Sequence, residues 1–381
     1  MNDLLTSPIQ YNQHTLEYYK YYWKIIIIIG CYYILPALQF VFFQAYDDNV
    51  DCFYNNKCKN SLYNIPSFNS VISNIFYVIF GIIFIFIVKY NNRSVSDGIT
   101  YYGENNNRPL YYSLGVALIL EGFCSSIYHI CPSKLNFQFD TTFMFIGIII
   151  MGLTIHQKKN NCIPPPFKLF MFLSLIILIN ILPIIRVESE LEIWFWCVIF
   201  IFVAYFIVFG TIYLYYDQEY DLDVRSLITL SKKITSLDKK NLPKFVLICT
   251  INIVTLSMYI YATIIKPDFT NWFLGLSIIN MIIYFIYYLI SKIINRERLK
   301  KIWWFGLFTD IIIITLSLVY FNKSVNNRLL TIEESNKLNK PCVLFGYFDY
   351  HDIWHILSAT GLFLFMNIIY FMDNMDNMDN I

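Results

Sequence analysis

The sequence predicts an all-α polytopic membrane protein, a bundle of about ten transmembrane helices, and three observations support this prediction. Hydrophobic residues make up 57% of the 381-residue chain and charged residues only 14%, and the mean hydropathy is +0.51. A soluble domain carries roughly 25% charged residues, so these charges are too few to cover a water-facing surface. The apolar residues also fall in long runs of the length that a bilayer requires.

Each apolar run is long enough, at about 1.5 Å per residue, to cross a hydrocarbon core of about 30 Å. We predict ten spans, near Lys24–Tyr46, Asn69–Lys89, Tyr111–Cys131, Phe139–His156, Phe167–Ile185, Leu191–Tyr216, Phe245–Ile265, Trp272–Ile293, Ile302–Phe321 and Asp352–Met372. Together they form one membrane domain, residues 24–372, between a cytosolic segment, residues 1–23, and a disordered cytosolic tail, residues 373–381. The polar start of the chain has no signal-peptide pattern, so the first run is expected to remain in the membrane.

The distribution of basic residues predicts the orientation of the bundle. Of the 28 Lys and Arg residues, 19 fall on the side that includes both termini, which places both termini in the cytosol. The run Arg296-Glu297-Arg298 fits a positive-inside anchor, with contact to anionic lipid as the alternative. The net charge of +1 excludes a global basic field that would gather nucleic acid.

Four of the nine cysteines lie on the predicted outer side, where disulfides persist: Cys52, Cys58, Cys131 and Cys342. They can form two bridges, and the sequence leaves all three connectivities open. A zinc site at Cys52 and Cys58 is the weaker reading, because a spacing of five residues is not usual for zinc. The others are expected to be buried or cytosolic thiols: Cys31, Cys124, Cys162, Cys197 and Cys249.

Three of the five histidines point to a metal site. His129 closes the third span, and His351 and His355 open the tenth with the i,i+4 spacing that puts two imidazoles on one helical face. Asp140 opens the fourth span, and the predicted topology brings all four residues to the outer side. Three nitrogens and a carboxylate suit Zn²⁺, with a water position possible. The remaining histidines, His14 and His156, fall on the cytosolic side and form no cluster.

Three further polar residues lie within spans. Ser73, near the outer end of the second span, can hydrogen-bond a metal-bound water, or it can bond back to its own helix, which is commoner. Glu121, about two turns below His129, and Asp310, in the middle of the ninth span, are expected to face the bundle interior. Pairing with polar neighbours is the favoured role for both acids.

The sequence resembles the SID (systemic RNA interference defective) transmembrane family over nearly the whole chain, residues 18–373. The order and spacing of several motifs carry the resemblance. The matching segments are Asp51–Cys58, Phe68–Asn74, Glu121-Gly122 through Tyr128–Pro132, Asn136–Met144, Arg296–Arg298 and His351–Ser358. The family lies in a wider group that resembles alkaline ceramidases and adiponectin receptors.

The resemblance implies a seven-helix core and a zinc site shared by the wider group. Ser73, His129, Asp140, His351 and His355 occupy the places of that group's Ser, His, Asp and HxxxH residues. Ser73 and Asp140 are therefore the candidate catalytic residues, through orientation of a water. His129, Asp140, His351 and His355 are the implied ligands of Zn²⁺.

The function implied by the resemblance is transport of double-stranded RNA across membranes, either the plasma membrane or an endolysosomal membrane. The implied partners are the lipid bilayer, cholesterol or a sphingolipid, double-stranded RNA, and a second copy of the chain as a homodimer. Family members carry a large extracellular β-rich region and one span before the part seen here, so we expect weak direct RNA binding. A zinc-dependent lipid hydrolase, such as a ceramidase-like amidase, is the alternative, and a purely structural zinc staple is a third reading.

Overall fold

The computed structural model describes residues 21–45, 47, 52–91, 108–160, 165–185, 191–216, 242–295, 297, 299–324 and 330–374. These residues form helices α1 (Tyr22–Ala45), α2 (Phe68–Ser73), α3 (Ile75–Tyr90), α4 (Arg108–Tyr128), α5 (Phe137–Asn160), α6 (Pro166–Ile185), α7 (Leu191–Tyr216), α8 (Leu242–Ile265), α9 (Phe269–Ile294), α10 (Lys301–Lys323), α11 (Ile332–Lys337) and α12 (Tyr350–Asn374). Within the described ranges there is no strand, only two isolated β-bridges. His14, Cys162, Arg296, Arg298 and most of both terminal segments lie outside the described residues.

The prediction of an all-α polytopic bundle is confirmed. In the described part of the chain, eight helices are long and apolar enough to cross a membrane, with mean hydropathies from 1.5 to 2.7, where α2 and α3 together count as one. The predicted fifth and sixth spans are α6 and α7, which contain the shorter apolar helical stretches Pro166–Asn180 and Trp194–Tyr205. Element bounds differ from prediction by a few residues, most at α5, which continues to Asn160.

The second predicted span is broken at Asn74, and two side chains explain the break. The Ser73 hydroxyl and the Asn74 amide both donate to the carbonyl oxygen of Ser70, at 2.8 and 2.9 Å. Side chains that bond to a carbonyl of their own helix compete with the regular backbone ladder. The backbone N–H of Asn74 accordingly bonds to Val71 at 3.3 Å, three residues back.

Helix α4 is central, because α1, α3 and α5 pack around it. The approach of α3 to α4 is close enough to require glycine: a Cβ at Gly81 would lie 2.7 Å from the Gly115 carbonyl oxygen. Helix α12 packs between α3 and α10. Helix α9 packs on α5 and on α8, and α8 in turn packs on α7. Many large apolar side chains on the periphery are exposed, for example Phe305 and Phe308 of α10, as expected for a surface that faces lipid.

Two disulfides close one end of the bundle, Cys52–Cys131 and Cys58–Cys342. We call this end, defined by those four cysteines, the disulfide end. The bridges select one of the three connectivities that the sequence left open and exclude the zinc reading of Cys52 and Cys58. The free cysteines in the described residues are Cys31, Cys124, Cys197 and Cys249.

Candidate metal centre at the disulfide end

Three helix ends bring the predicted ligands to the disulfide end. His129 directly follows α4, and its backbone N–H still makes the helical bond to Ser125, at 3.1 Å. Asp140 lies in the first turn of α5. His351 and His355 lie in the first two turns of α12, about one turn apart on the same face. The predicted convergence of these three elements is therefore seen in the structure.

The three imidazoles form a compact cluster. One ligand atom from each of His129, His351 and His355 lies within 4.8 Å of the others. The Nε2 atoms of His129 and His355 are 2.9 Å apart, and the His351 and His355 ring centroids are 4.5 Å apart. His129 and His355 are buried, whereas His351 is half-buried. The half-buried side of the cluster is the one that a ligand or water could reach.

The donor set fits a zinc ion. Nitrogen ligands at about 2.0–2.1 Å from a tetrahedral zinc are separated from one another by roughly 3.4 Å, a spacing that small side-chain movements of this cluster would give. His355 is fully buried, and its Nδ1 has no hydrogen-bond partner among the described residues. A buried ring nitrogen that lacks a partner is costly, so Nδ1 has room in its bonding for an ordered water, while Nε2, 2.9 Å from His129 Nε2, is the nitrogen that an ion shared with His129 would use.

Asp140 lies at the side of the histidine cluster. Its Oδ1 is 3.9 Å from His129 Nε2 and accepts a hydrogen bond from the Ser125 hydroxyl at 2.5 Å. The carboxylate is 2% exposed, and Ser125 from α4 holds it in place. Asp140 is thus within one small rotation of the position of a fourth ligand, or it can orient a water bound beside the imidazoles.

Ser73 is fully buried at the end of α2, and its hydroxyl donates to the Ser70 carbonyl, which is the alternative that the sequence left open. A hydroxyl that donates one bond keeps its lone pairs for a donor such as water. Behind the cluster, the Tyr77 hydroxyl bonds the Ser358 hydroxyl at 2.5 Å, and the Tyr77 ring lies 6.1 Å from that of His355.

The other predicted polar residues lie away from the cluster or below it. His156 is buried in α5, where its Nδ1 is 2.8 Å from the Tyr284 hydroxyl, so it takes no part in the metal centre. Glu121 and Asp310 are both buried, at 2% and 5% exposure, as expected for acids that face the bundle interior. The expected pairing with polar side chains is not seen for Glu121, because neither of its carboxylate oxygens bonds a side chain among the described residues. Asp310 lies beside Gly361 of α12, 3.6 Å from where a Cβ of that glycine would stand.

Tyr54 supports the backbone next to His129 and was not foreseen from the sequence. Its hydroxyl donates to the Ile130 carbonyl at 2.6 Å, and Phe53 N–H donates to the Pro132 carbonyl at 2.7 Å. Burial raises the pKa of Tyr54 to about 12, so its hydroxyl stays protonated as a donor at any physiological pH. The Cys52–Cys131 bridge and these two bonds together fix the segment after α4.

Two aspartates whose role was not predicted from the sequence, Asp349 and Asp352, cap α12. The Asp349 carboxylate accepts from the N–H groups of His351 and Asp352, at 2.8 and 2.9 Å. The Asp352 carboxylate accepts in return from the Asp349 N–H, at 3.1 Å. This reciprocal arrangement is a capping box, and the spacing Asp-x-x-Asp around His351 was the sequence signal that could have revealed it.

The fold and this cluster define a class: a polytopic helical membrane protein with a histidine centre at one end of its bundle. The chain belongs to the SID-1 family, because the family model described as the dsRNA-gated channel SID-1 matches residues 5–381. The resemblance drawn from the sequence motifs is thereby confirmed.

Curated relatives agree with this membership. The chain is 29% identical over 380 residues to the human SID1 transmembrane family member 1, covering 94% of this chain and 45% of the relative. It is 28% identical over 384 residues to the rat protein of that name, covering 94% and 46%. It is also 28% identical over 395 residues to Cholesterol uptake protein 1 of Caenorhabditis elegans, covering 98% and 51%. The chain thus spans about half the length of the curated relatives it matches.

Proposed function

We propose that this chain forms a membrane-embedded part of a system that moves double-stranded RNA across a membrane. The single observation that carries this proposal is the match to the dsRNA-gated channel family over residues 5–381. The polytopic bundle supports it, since a transport role requires a chain that spans the bilayer repeatedly. The plasma membrane and endolysosomal membranes are the proposed locations, with both termini in the cytosol.

The test is uptake of labelled double-stranded RNA by cells that express the chain at their surface. Expression should raise the amount of internalised long duplex RNA above that in vector-control cells. Duplex DNA of the same length should enter expressing and control cells at the same rate. Protected RNA in the cytosol, measured after nuclease treatment of intact cells, is the readout. Equal RNA levels in expressing and control cells, with the protein present at the surface, would contradict the proposal.

A second candidate function rests on the histidine cluster. His129, His351 and His355, with Asp140 beside them, would hold Zn²⁺ at the disulfide end. Zinc in such a site would lower the pKa of a bound water to near neutrality, and the zinc itself would polarise an acyl carbonyl. Ser125 fixes the Asp140 carboxylate, and the Ser73 hydroxyl retains acceptor capacity for a water. This arrangement supports a zinc-dependent lipid hydrolase, such as an amidase that acts on ceramide-like lipids.

Turnover separates the hydrolase from a structural zinc staple. The purified chain should hydrolyse a ceramide-type amide, and His355→Ala should abolish this activity. Ser73→Ala should slow turnover and leave the zinc content unchanged, because a residue that orients water affects rate more than metal affinity. If the wild-type chain and His355→Ala release fatty acid at the same background rate from a panel of acyl lipids, zinc acts only as a staple.

Lipids and a second copy of the chain complete the proposed partners. One relative carries the name Cholesterol uptake protein 1, which favours a sterol as a lipid ligand of this chain over other membrane lipids. A photoreactive cholesterol analogue, competed by unlabelled cholesterol and not by a phospholipid, tests this ligand. Cross-linking of two differently tagged copies in the membrane tests the homodimer.

A further inference from the structure

Asn69 is a fully buried amide that joins three segments of the disulfide end. Its Nδ2 donates to the Asp352 carboxylate at 2.7 Å and to the Cys58 carbonyl at 3.2 Å. Its Oδ1 accepts from the Asn60 N–H at 3.1 Å and from the Ser67 hydroxyl at 3.3 Å. Both donors and both lone pairs of the amide are therefore used, which fixes its orientation completely.

The bond from Asn69 to Asp352 reaches the histidines through α12. Asp352 lies between His351 and His355 in sequence, is fully buried, and forms the capping box with Asp349. Asp349 in turn accepts from the His351 N–H at 2.8 Å and from the Asn55 side chain at 2.8 Å. Every step of this path is a hydrogen bond accepted by a carboxylate oxygen.

We propose that Asn69 is a positioning residue for the metal centre. Its bond to Asp352 fixes the rotation of the first turn of α12 about the helix axis, and this rotation orients the His351 and His355 imidazoles toward His129. This inference rests on the proposed zinc centre. The hydrogen bonds of the Asn69 amide in the described structure go to other groups than the three imidazoles, so it acts through α12. Supporting residues of this kind commonly change metal affinity by about 10- to 100-fold when they are replaced.

The geometry distinguishes this role from simple packing. Rotation about the axis of α12 moves side chains that project from it, and the two imidazoles project from adjacent turns of the same face. The Asn69–Asp352 bond lies on the α2 side of α12, so it opposes such rotation where α2 packs on α12. A packing residue would affect stability without altering the coordination geometry.

The probe is Co²⁺, added to zinc-stripped protein in detergent micelles, because its visible absorption bands report both occupancy and geometry. The wild-type chain should bind about one Co²⁺ with intense four-coordinate bands. Asn69→Ala, which removes the bond without adding charge, should weaken Co²⁺ binding at least tenfold and shift the bands. Asn69→Asp should weaken it further, because two carboxylates would then face each other at the 2.7 Å contact.

The exchanged pair, Asn69→Asp with Asp352→Asn, restores a donor and an acceptor across the same contact. It should recover most of the affinity and the wild-type spectrum. Asn280→Asp is the matched control: Asn280 also donates to a neighbouring helix, to Thr255 at 3.1 Å, far along the chain from the cluster. This variant should keep the wild-type Co²⁺ affinity and spectrum.

The metal-free melting temperature separates positioning from unfolding. Wild-type affinity and spectrum in Asn69→Ala would overturn the inference, and so would an exchanged pair that folds but binds no better than Asn69→Asp. If Asn69→Asp does not fold, Asn69→Ala and the exchanged pair decide. Failure of the wild-type chain to bind Co²⁺ would instead overturn the zinc centre itself, so the two failures are distinguishable.

Discussion

The Cys52–Cys131 bridge offers a quantitative test of how the loops hold the site, through the double variant Cys52→Ala/Cys131→Ala. Replacing both cysteines leaves no unpaired thiol to form a new bridge. Cys131 is two residues after His129, so this bridge ends beside a predicted ligand. We expect the variant to lose stability and metal affinity together.

The size of the stability loss follows from the loop that the bridge closes. Its ends are 79 residues apart in sequence, which in the chain-entropy model corresponds to about 4.5 kcal/mol at 25 °C. That figure is an upper bound here, because the intervening spans remain helical in the bilayer when the tertiary contacts are lost. The neighbouring bonds from Tyr54 and Phe53 to the same segment also persist in the variant.

The assay is thermal unfolding in detergent, followed by the fraction of protein that remains monodisperse, together with zinc content by mass spectrometry. The double variant should melt several degrees lower than wild type and hold zinc more weakly. Cys197→Ala is the matched control, because Cys197 is a free, exposed thiol on α7. Equal melting temperature and zinc content in wild type and the double variant would refute the reasoning.

Four further outcomes are expected. The double variant His351→Ala/His355→Ala should lose zinc binding and melt at a lower temperature, since metal binding energy is lost from the folded state. Full zinc occupancy in the purified double variant would contradict the ligand assignment. Gly81→Leu should destabilise the bundle by several kcal/mol, because its side chain has no room against α4; unchanged melting would show that the helices can separate. Accessibility of terminal tags in sealed vesicles should place both termini on one side, the cytosolic one, and opposite accessibilities would refute an even number of spans. The chain alone should bind double-stranded RNA weakly and with a shallow salt dependence, because the described cations at the disulfide end are few; nanomolar binding at physiological salt, measured by filter binding, would contradict this expectation.

The sequence was sufficient for the helices because each span is a continuous apolar run, and such runs have one stable conformation in lipid. Topology also predicted that His129, His351 and His355 lie on the same side of the membrane, because the spans alternate in direction. Whether the three imidazoles meet in one cluster depends, in addition, on which helices are neighbours.

What the sequence could not supply depends on those neighbours. The pairing of Cys58 with Cys342 follows from α2 packing beside α12, and nothing in the local sequence of either loop indicates it. The bond from Asn69 to Asp352 joins residues 283 apart, so no periodicity reveals it. The break at Asn74 was also missed, because the apolar run continues through it while two side chains redirect the hydrogen bonds of Ser70.

The long sequence separation within the disulfide end has a consequence for how the protein is made. Cys58 pairs with a residue 284 positions later, and His129 meets His355 only after a further 226 residues have been added. During synthesis, Cys58 therefore cannot form its native bridge until Cys342 has been made, and His129 cannot meet its partner imidazoles until α12 has entered the membrane. Both the bridge and the histidine cluster thus depend on segments that follow α11 in the chain. A nascent chain that stops before Cys342 therefore has neither the second bridge nor the histidine cluster, the kind of defect by which quality control recognises an unfinished membrane protein.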